Sequence, residues 1–211
     1  MKIDAKICGL TEPRTLDTAV RCGAAFVGFV FFPPSPRAVR PEQAAPLVRS
    51  VPAPVRSVGL FVDPDDMLLD RVLAEVPLDI LQLHGEEPVE RVAEIKARTG
   101  LSVIKVFKIA DAEDFAAVRR YEQVVDYLMF DAKPPKDGTR PGGNATAFDW
   151  TLLRGRSWAK PWFLAGGLTP DNVAGAAKMT GAQLVDASSG LEESLGKKSP
   201  EKIRKFLSAL A

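Results

Sequence analysis

Short runs of β-branched and aromatic residues alternate with amphipathic stretches along the 211-residue chain. The strand-like runs are KIDAKIC (2–8), FVGFVF (26–31), RSVGLFV (56–62), DILQLH (79–84), SVIKVFK (102–108), VVDYLMF (124–130), PWFLA (161–165) and AQLVDA (182–187). Several lack strict alternation of apolar and polar positions, which is the texture of strands buried on both faces of a parallel sheet.

Helical texture fills most of the gaps. Ile203, Phe206, Leu207 and Leu210 recur at i, i+3, i+4 and i+7, with Lys202, Arg204 and Lys205 between them, so the pattern predicts a helix over 199–211. Ser199 and Pro200 supply its N-cap and first turn. TEPRTLDTAVRCG predicts a helix opened by Thr and Pro and stopped at Gly23, and TPDNVAGAAKMTG predicts another stopped at Gly181. The sixth helix has the weakest pattern, since 149–157 is short and carries Gly155.

Eight strand–helix units in a chain of this length predict an α/β fold, one (β/α)8 TIM barrel over residues 1–211. The competing architecture is an open doubly wound sheet, which normally has fewer strands. The Pro-rich pieces FFPPSPR and AKPPKDGTRPGG follow strands two and six. They read as long βα loops, and in a barrel those loops build the active face.

Composition narrows the partners. Lys and Arg total 28 and Asp and Glu 27, for a formal net charge of +1, so charge gives no case for nucleic acid or an anionic membrane. No apolar run approaches the ~20 residues that span a bilayer, and MKIDAKIC lacks the features of a signal peptide. Cys8 and Cys22 have neither CxxC nor Cys/His metal spacing. Two cysteines in a chain this size point to a reducing cytoplasm rather than a disulfide scaffold.

The strongest local signal is a pair of loops. After strand seven comes AGGLTPDNV, where Gly166 and Gly167 let the backbone approach a ligand. After strand eight comes DASSGLEES, where Ser189-Gly190-Leu191-Glu192 fits the capping box of a short extra helix. Loops after strands seven and eight, with a small extra helix, form the usual barrel phosphate site. The plainer alternative is two tight turns that need glycine.

Ionisable residues also gather at strand ends. Cys8, His84, Asp131 and Asp186 close strands one, four, six and eight, so in a barrel they share one mouth. Taken alone, Cys8 reads as a small apolar filler and His84 as a structural histidine, and Asp186 has a second reading as a loop anchor. Arg37, in SPRAVRP, reads as a solvated loop residue or as a two-pronged carboxylate ligand. Cys22, at the end of the first helix, reads as packing.

KICGLT, FVF…SPR, LQLHG, FD followed by a Gly-Gly loop and FDW, LAGGLTPDNV and VDASSGLE together resemble the phosphoribosylanthranilate isomerases. The resemblance runs over nearly the whole chain, in order. It implies a phosphate-binding barrel of tryptophan biosynthesis and an Amadori rearrangement with no cofactor and no metal. The small-molecule substrate would be phosphoribosylanthranilate, with neither nucleic acid nor membrane as partner. Carried over by motif, Cys8 falls at the general base and Asp131 at the general acid. Arg37 falls at the anthranilate carboxylate, Asp186 beside the sugar, and Gln82 and His84 at the mouth. Gly166, Gly167, Ser188, Ser189 and Gly190 fall on the phosphate loops. A free thiol is only a few per cent ionised at neutral pH, so a base at Cys8 calls for positive charge nearby.

Two positions depart from the pattern. The loop before FDW reads GGNATA, with Ala145 where the family often has glycine, and Ala187 stands where a valine is common. The first predicts a loop that closes differently. Two other functions fit the same barrel. One is the histidine-pathway aminoaldose isomerase, which resembles this family but uses an Asp at the Cys8 position. The other is a phosphate-binding barrel without catalysis.

Overall fold

The computed structural model describes residues 2–133 and 148–210. Eight parallel strands pair in sequence order and close on themselves: β1 (Asp4–Cys8), β2 (Phe26–Val30), β3 (Arg56–Phe61), β4 (Ile80–Leu83), β5 (Ser102–Ile109), β6 (Tyr127–Ala132), β7 (Trp162–Leu164) and β8 (Leu184–Ala187). β8 returns to β1 with Asp186 opposite Lys6. That pairing closes the barrel and rules out the open doubly wound sheet.

Helices α1 (Pro13–Arg21), α2 (Pro41–Arg49), α3 (Asp66–Glu75), α4 (Val89–Thr99), α5 (Val118–Tyr121), α6 (Val173–Thr180) and α7 (Pro200–Ser208) cover the strands. α7 follows the sequence closely: Ser199 Oγ accepts from the Lys202 N–H at 3.3 Å and Pro200 opens the first turn. α1 begins later than its Thr11 signal, after Glu12, with no side-chain cap. α6 begins at Val173 rather than at Thr169, because Asn172 Oδ1 accepts the Thr169 N–H and holds 169–172 as a turn. The fifth connection is a 3-10 stretch, Ala112–Ala117, running into the single turn of α5. Among the described residues the sixth holds a 3-10 turn, Trp150–Leu153, with Gly155 at φ +73° just beyond it. Among the described residues no helix is long and apolar enough to cross a membrane.

Strand side chains alternate between faces, and this alternation builds two cores. Ile7, Val27, Phe61, Leu81, Leu83, Leu128, Phe130 and Val185 point outward and pack under the helices. Phe26, Val58, Ile80, Ile104, Val106, Met129 and Phe163 fill the barrel interior. Phe26 and Phe163 meet edge to face at 5.2 Å, so the lower barrel is plugged. Above this plug the same inward parity carries polar side chains, and that change of chemistry along the barrel axis positions the site.

Candidate active site

Lys6 and Cys8 on β1, Gln82 and His84 at the end of β4, Asp131 on β6 and Asp186 on β8 all take the inward parity. All six are buried. The structure thus brings together the thiol, imidazole and carboxylates that the strand ends suggested. Cys8 is indeed buried, but not among apolar side chains alone. Cys22, read as packing, is exposed: it caps α1, its N–H bonds back to Thr18, and it lies outside the helix–barrel contact.

Gln82, His84 and Asp131 form a chain. Gln82 Nε2 lies 3.3 Å from His84 Nδ1, and His84 Nε2 lies 3.4 Å from Asp131 Oδ2. In the tautomer where the Gln82 amide donates to Nδ1, Nε2 is the donor nitrogen, and it makes no hydrogen bond among the described residues. Asp131 Oδ1 accepts the Ala132 N–H at 2.8 Å, which fixes the carboxyl plane. Gln82 Oε1 is buried with no hydrogen-bond partner among the described residues, an open acceptor at the mouth.

The loop that presents His84 is clamped by a buried ion pair outside the barrel. Lys105 Nζ donates to Glu87 Oε2 at 2.6 Å and to Gly85 O at 2.8 Å. Glu87 Oε1 accepts the N–H groups of Asp63 and Gly85.

At the other side of the mouth, Lys6 Nζ donates to Asp186 Oδ1 at 2.8 Å. Burial works against the Lys6 charge, yet Asp186 and Cys8 outweigh it and hold the ammonium above the ordinary lysine range. Burial pushes the Cys8 thiol up, against the opposing pull of Lys6 and, more weakly, Lys198.

Arg37 does not lie in solvent. Its guanidinium meets Glu192 with Nε–Oε1 at 2.6 Å and Nη2–Oε2 at 3.0 Å, and Lys198 Nζ adds 2.6 Å to Oε1. Glu192 opens a small hairpin, β9 (Glu192–Ser194) and β10 (Lys197–Lys198). Burial favours its neutral form, but Arg37 and Lys198 overcome this and hold the carboxyl below the usual range. This corrects the capping-box reading: Ser189–Leu191 is one 3-10 turn after Ser188, no side chain caps it, and Glu192 is drawn to the two cations instead. Glu192 and Lys198 join Lys6 as site residues that sequence reasoning missed.

The expected phosphate loops do meet. Gly166 and Gly167 adopt φ +81° and +70°, a region costly for any side chain. A Cβ on Gly190 would collide with the Leu168 carbonyl and come within 3.2 Å of Thr169 Cγ2, so the β7 and β8 loops are in contact. Ser188 Oγ lies 3.4 Å from Lys198 Nζ. Ala145 lies outside the described residues.

Fold and site together define a (β/α)8-barrel enzyme of the phosphate-binding type. The family model of N-(5'-phosphoribosyl)anthranilate (PRA) isomerase matches residues 5–209. The chain belongs to that family, whose members are isomerases of tryptophan biosynthesis. It is 58% identical over 207 residues to the N-(5'-phosphoribosyl)anthranilate isomerase of Paracoccus denitrificans, covering 98% of this chain and 96% of that one. It is 54% identical over 209 residues to that of Paramagnetospirillum magneticum, covering 99% and 97%. Among solved structures, the Thermotoga maritima phosphoribosyl anthranilate isomerase superposes with a TM-score of 0.87 at 34% identity, over 99% of this chain and 98% of that one. A phosphoribosyl anthranilate isomerase in complex with reduced 1-(o-carboxyphenylamino)-1-deoxyribulose 5-phosphate superposes with a TM-score of 0.84 at 33% identity, with the same coverage.

Proposed function

We propose that this chain, as one barrel domain over 1–211, converts N-(5-phosphoribosyl)anthranilate into 1-(2-carboxyphenylamino)-1-deoxyribulose 5-phosphate. The reaction is a cofactor-free and metal-free Amadori rearrangement, with Cys8 as general base and Asp131 as general acid. The observation that carries the reading is the placement of Cys8 and Asp131, both inward at the mouth of a barrel that belongs to this family.

Asp131 gives a proton to the furanose oxygen as the C1–O bond breaks, and the anthranilate nitrogen lone pair closes to a protonated Schiff base. His84 Nε2 lies 3.4 Å from Asp131 Oδ2, a neighbour to the carboxyl group that loses this proton. The iminium makes the C2 proton acidic. Cys8 removes it, an enolamine forms, and protonation at C1 with loss of the C2 hydroxyl proton gives the ketone. Protons taken and returned balance.

Arg37 takes the anthranilate carboxylate, with the plane of its guanidinium set by Glu192. Gly166, Gly167, Ser188, Ser189 and Gly190 hold the phosphate through backbone N–H groups and hydroxyls. Asp186 lies beside the sugar, and Gln82 Oε1 offers an acceptor to a substrate hydroxyl. Free thiols at Cys8 and Cys22 suit a cytoplasmic enzyme.

The test is loss of phosphoribosylanthranilate fluorescence on addition of the protein, with Cys8→Ser and Asp131→Asn beside it. Rapid loss with the wild type, reduced by about 10²–10⁴-fold in each variant, is the expected result. No loss with the wild type overturns the reading, and undiminished loss in Cys8→Ser removes the thiol from it.

A further inference from the structure

A thiol sealed in a barrel is a poor base unless something stabilises its ionised form. Three charged groups act on Cys8: Lys6 from its own strand, Asp186 from β8 and Lys198 from β10, while Arg37 packs its Cδ at the neighbouring Gly9. Asp186 opposes ionisation and Lys198 is tied to Glu192 at 2.6 Å. Lys6 is different. It is 0% exposed, its Nζ is fixed by Asp186 at 2.8 Å, and it stands two residues before Cys8 on the same inward face.

Gly28 is the register partner of Cys8 on β2. A Cβ there would lie 3.0 Å from Lys6 Nζ and 3.1 Å from Cys8 Sγ. The missing side chain therefore leaves one gap into which both atoms reach. An ammonium buried this deeply would shed its proton if alone. Asp186 keeps it charged, so Lys6 delivers a permanent positive charge beside the sulfur.

We propose that Lys6 is a positioning residue for Cys8, its Asp186-anchored ammonium stabilising the thiolate across the gap at Gly28. When the thiolate takes the substrate C2 proton, the ammonium keeps its own proton and its pairing with Asp186. When the thiol returns a proton, the Lys6–Cys8 ion pair re-forms. Lys6 exchanges no proton and forms no bond to the substrate.

This inference rests on Cys8 being the base, but its test does not depend on turnover. In a Cys22→Ser background, Cys8 is the sole thiol, and its ionisation is followed by ultraviolet thiolate absorbance against pH. Lys6→Met raises the midpoint by about 1–3 pH units, the effect of removing an opposite charge at this range. At neutral pH kcat falls about tenfold per unit, with KM much less changed. Lys6→Arg keeps the charge and restores the midpoint most of the way. The double variant Lys6→Met/Asp186→Asn removes both charges and avoids an unpaired carboxylate if Lys6→Met alone does not fold. Its midpoint still rises, since Lys6 outweighs Asp186 at the sulfur.

A midpoint that stays put in both Met-containing variants overturns the inference, whatever the activity. A shifted midpoint in a protein that does not isomerise phosphoribosylanthranilate sinks the proposed function instead and leaves the Lys6–Cys8 coupling standing.

Discussion

Arg37 and Glu192, 155 positions apart in sequence, face each other as a two-pronged ion pair at 2.6 and 3.0 Å, with both side chains almost wholly buried. A pair so placed fixes the plane of the guanidinium. Glu192→Gln keeps the shape and removes the charge. Steady-state kinetics should then show KM for phosphoribosylanthranilate raised about tenfold, with kcat changed much less, because a positioning contact in the bound state is lost rather than the proton transfer.

The same carboxylate sets an acid limit on stability. Its native pKa is depressed by Arg37 and Lys198, so its contribution is fully present above the unfolded-state value of about 4.3 and is lost as pH falls through the lower native value. Thermal unfolding followed from neutral to acid pH should show the wild type losing stability in that window. Glu192→Gln, less stable at neutral pH, should lose less over the same window. Parallel curves for the two proteins would contradict this.

Gly190 predicts the effect of parting the loops proposed to hold the phosphate. A Cβ there meets the Leu168 carbonyl, so Gly190→Ala must push the β7 and β8 loops apart. Inhibition by inorganic phosphate should weaken about tenfold, with the melting temperature much less affected. Unchanged inhibition would remove these loops from anion binding.

Lys105→Met tests the clamp behind His84. It strands Glu87 in a site where the paired side chains are 4% and 1% exposed. Removing one partner of a buried ion pair costs about 3–5 kcal/mol, measurable by urea unfolding. The paired change Lys105→Met/Glu87→Leu should recover most of it.

All eight strands were legible in sequence, because β-branched runs punctuated by Gly and Pro survive in any context. The connections were less so. Among the described residues the fifth is a 3-10 stretch with a single α turn and the sixth a 3-10 turn, since short stretches with weak apolar faces take whatever length the barrel leaves them. Their place at strand C-ends made Cys8, His84, Asp131 and Asp186 readable as a group, and the structure adds their common inward parity. Lys6 shares that parity two residues before Cys8, and a lysine at an inward barrel position was the available signal. Glu192 and Lys198 left none: EESLGKK reads as a polar loop, and only tertiary contact shows that two of its charges are buried. The same contact defeated the capping box, because two cations outbid one backbone N–H for the Glu192 carboxylate.

Under the proposed assignment, one short piece of chain touches both ends of the substrate. Ser188, Ser189 and Gly190 hold the phosphate, and Glu192, two residues later, sets the arginine that meets the carboxylate. The two grips cannot drift apart independently, so the β8 loop works as a caliper of fixed span. It selects for molecules with an anion at each end and the right number of bonds between them, and it would pass over the many cellular phosphosugars that carry only one.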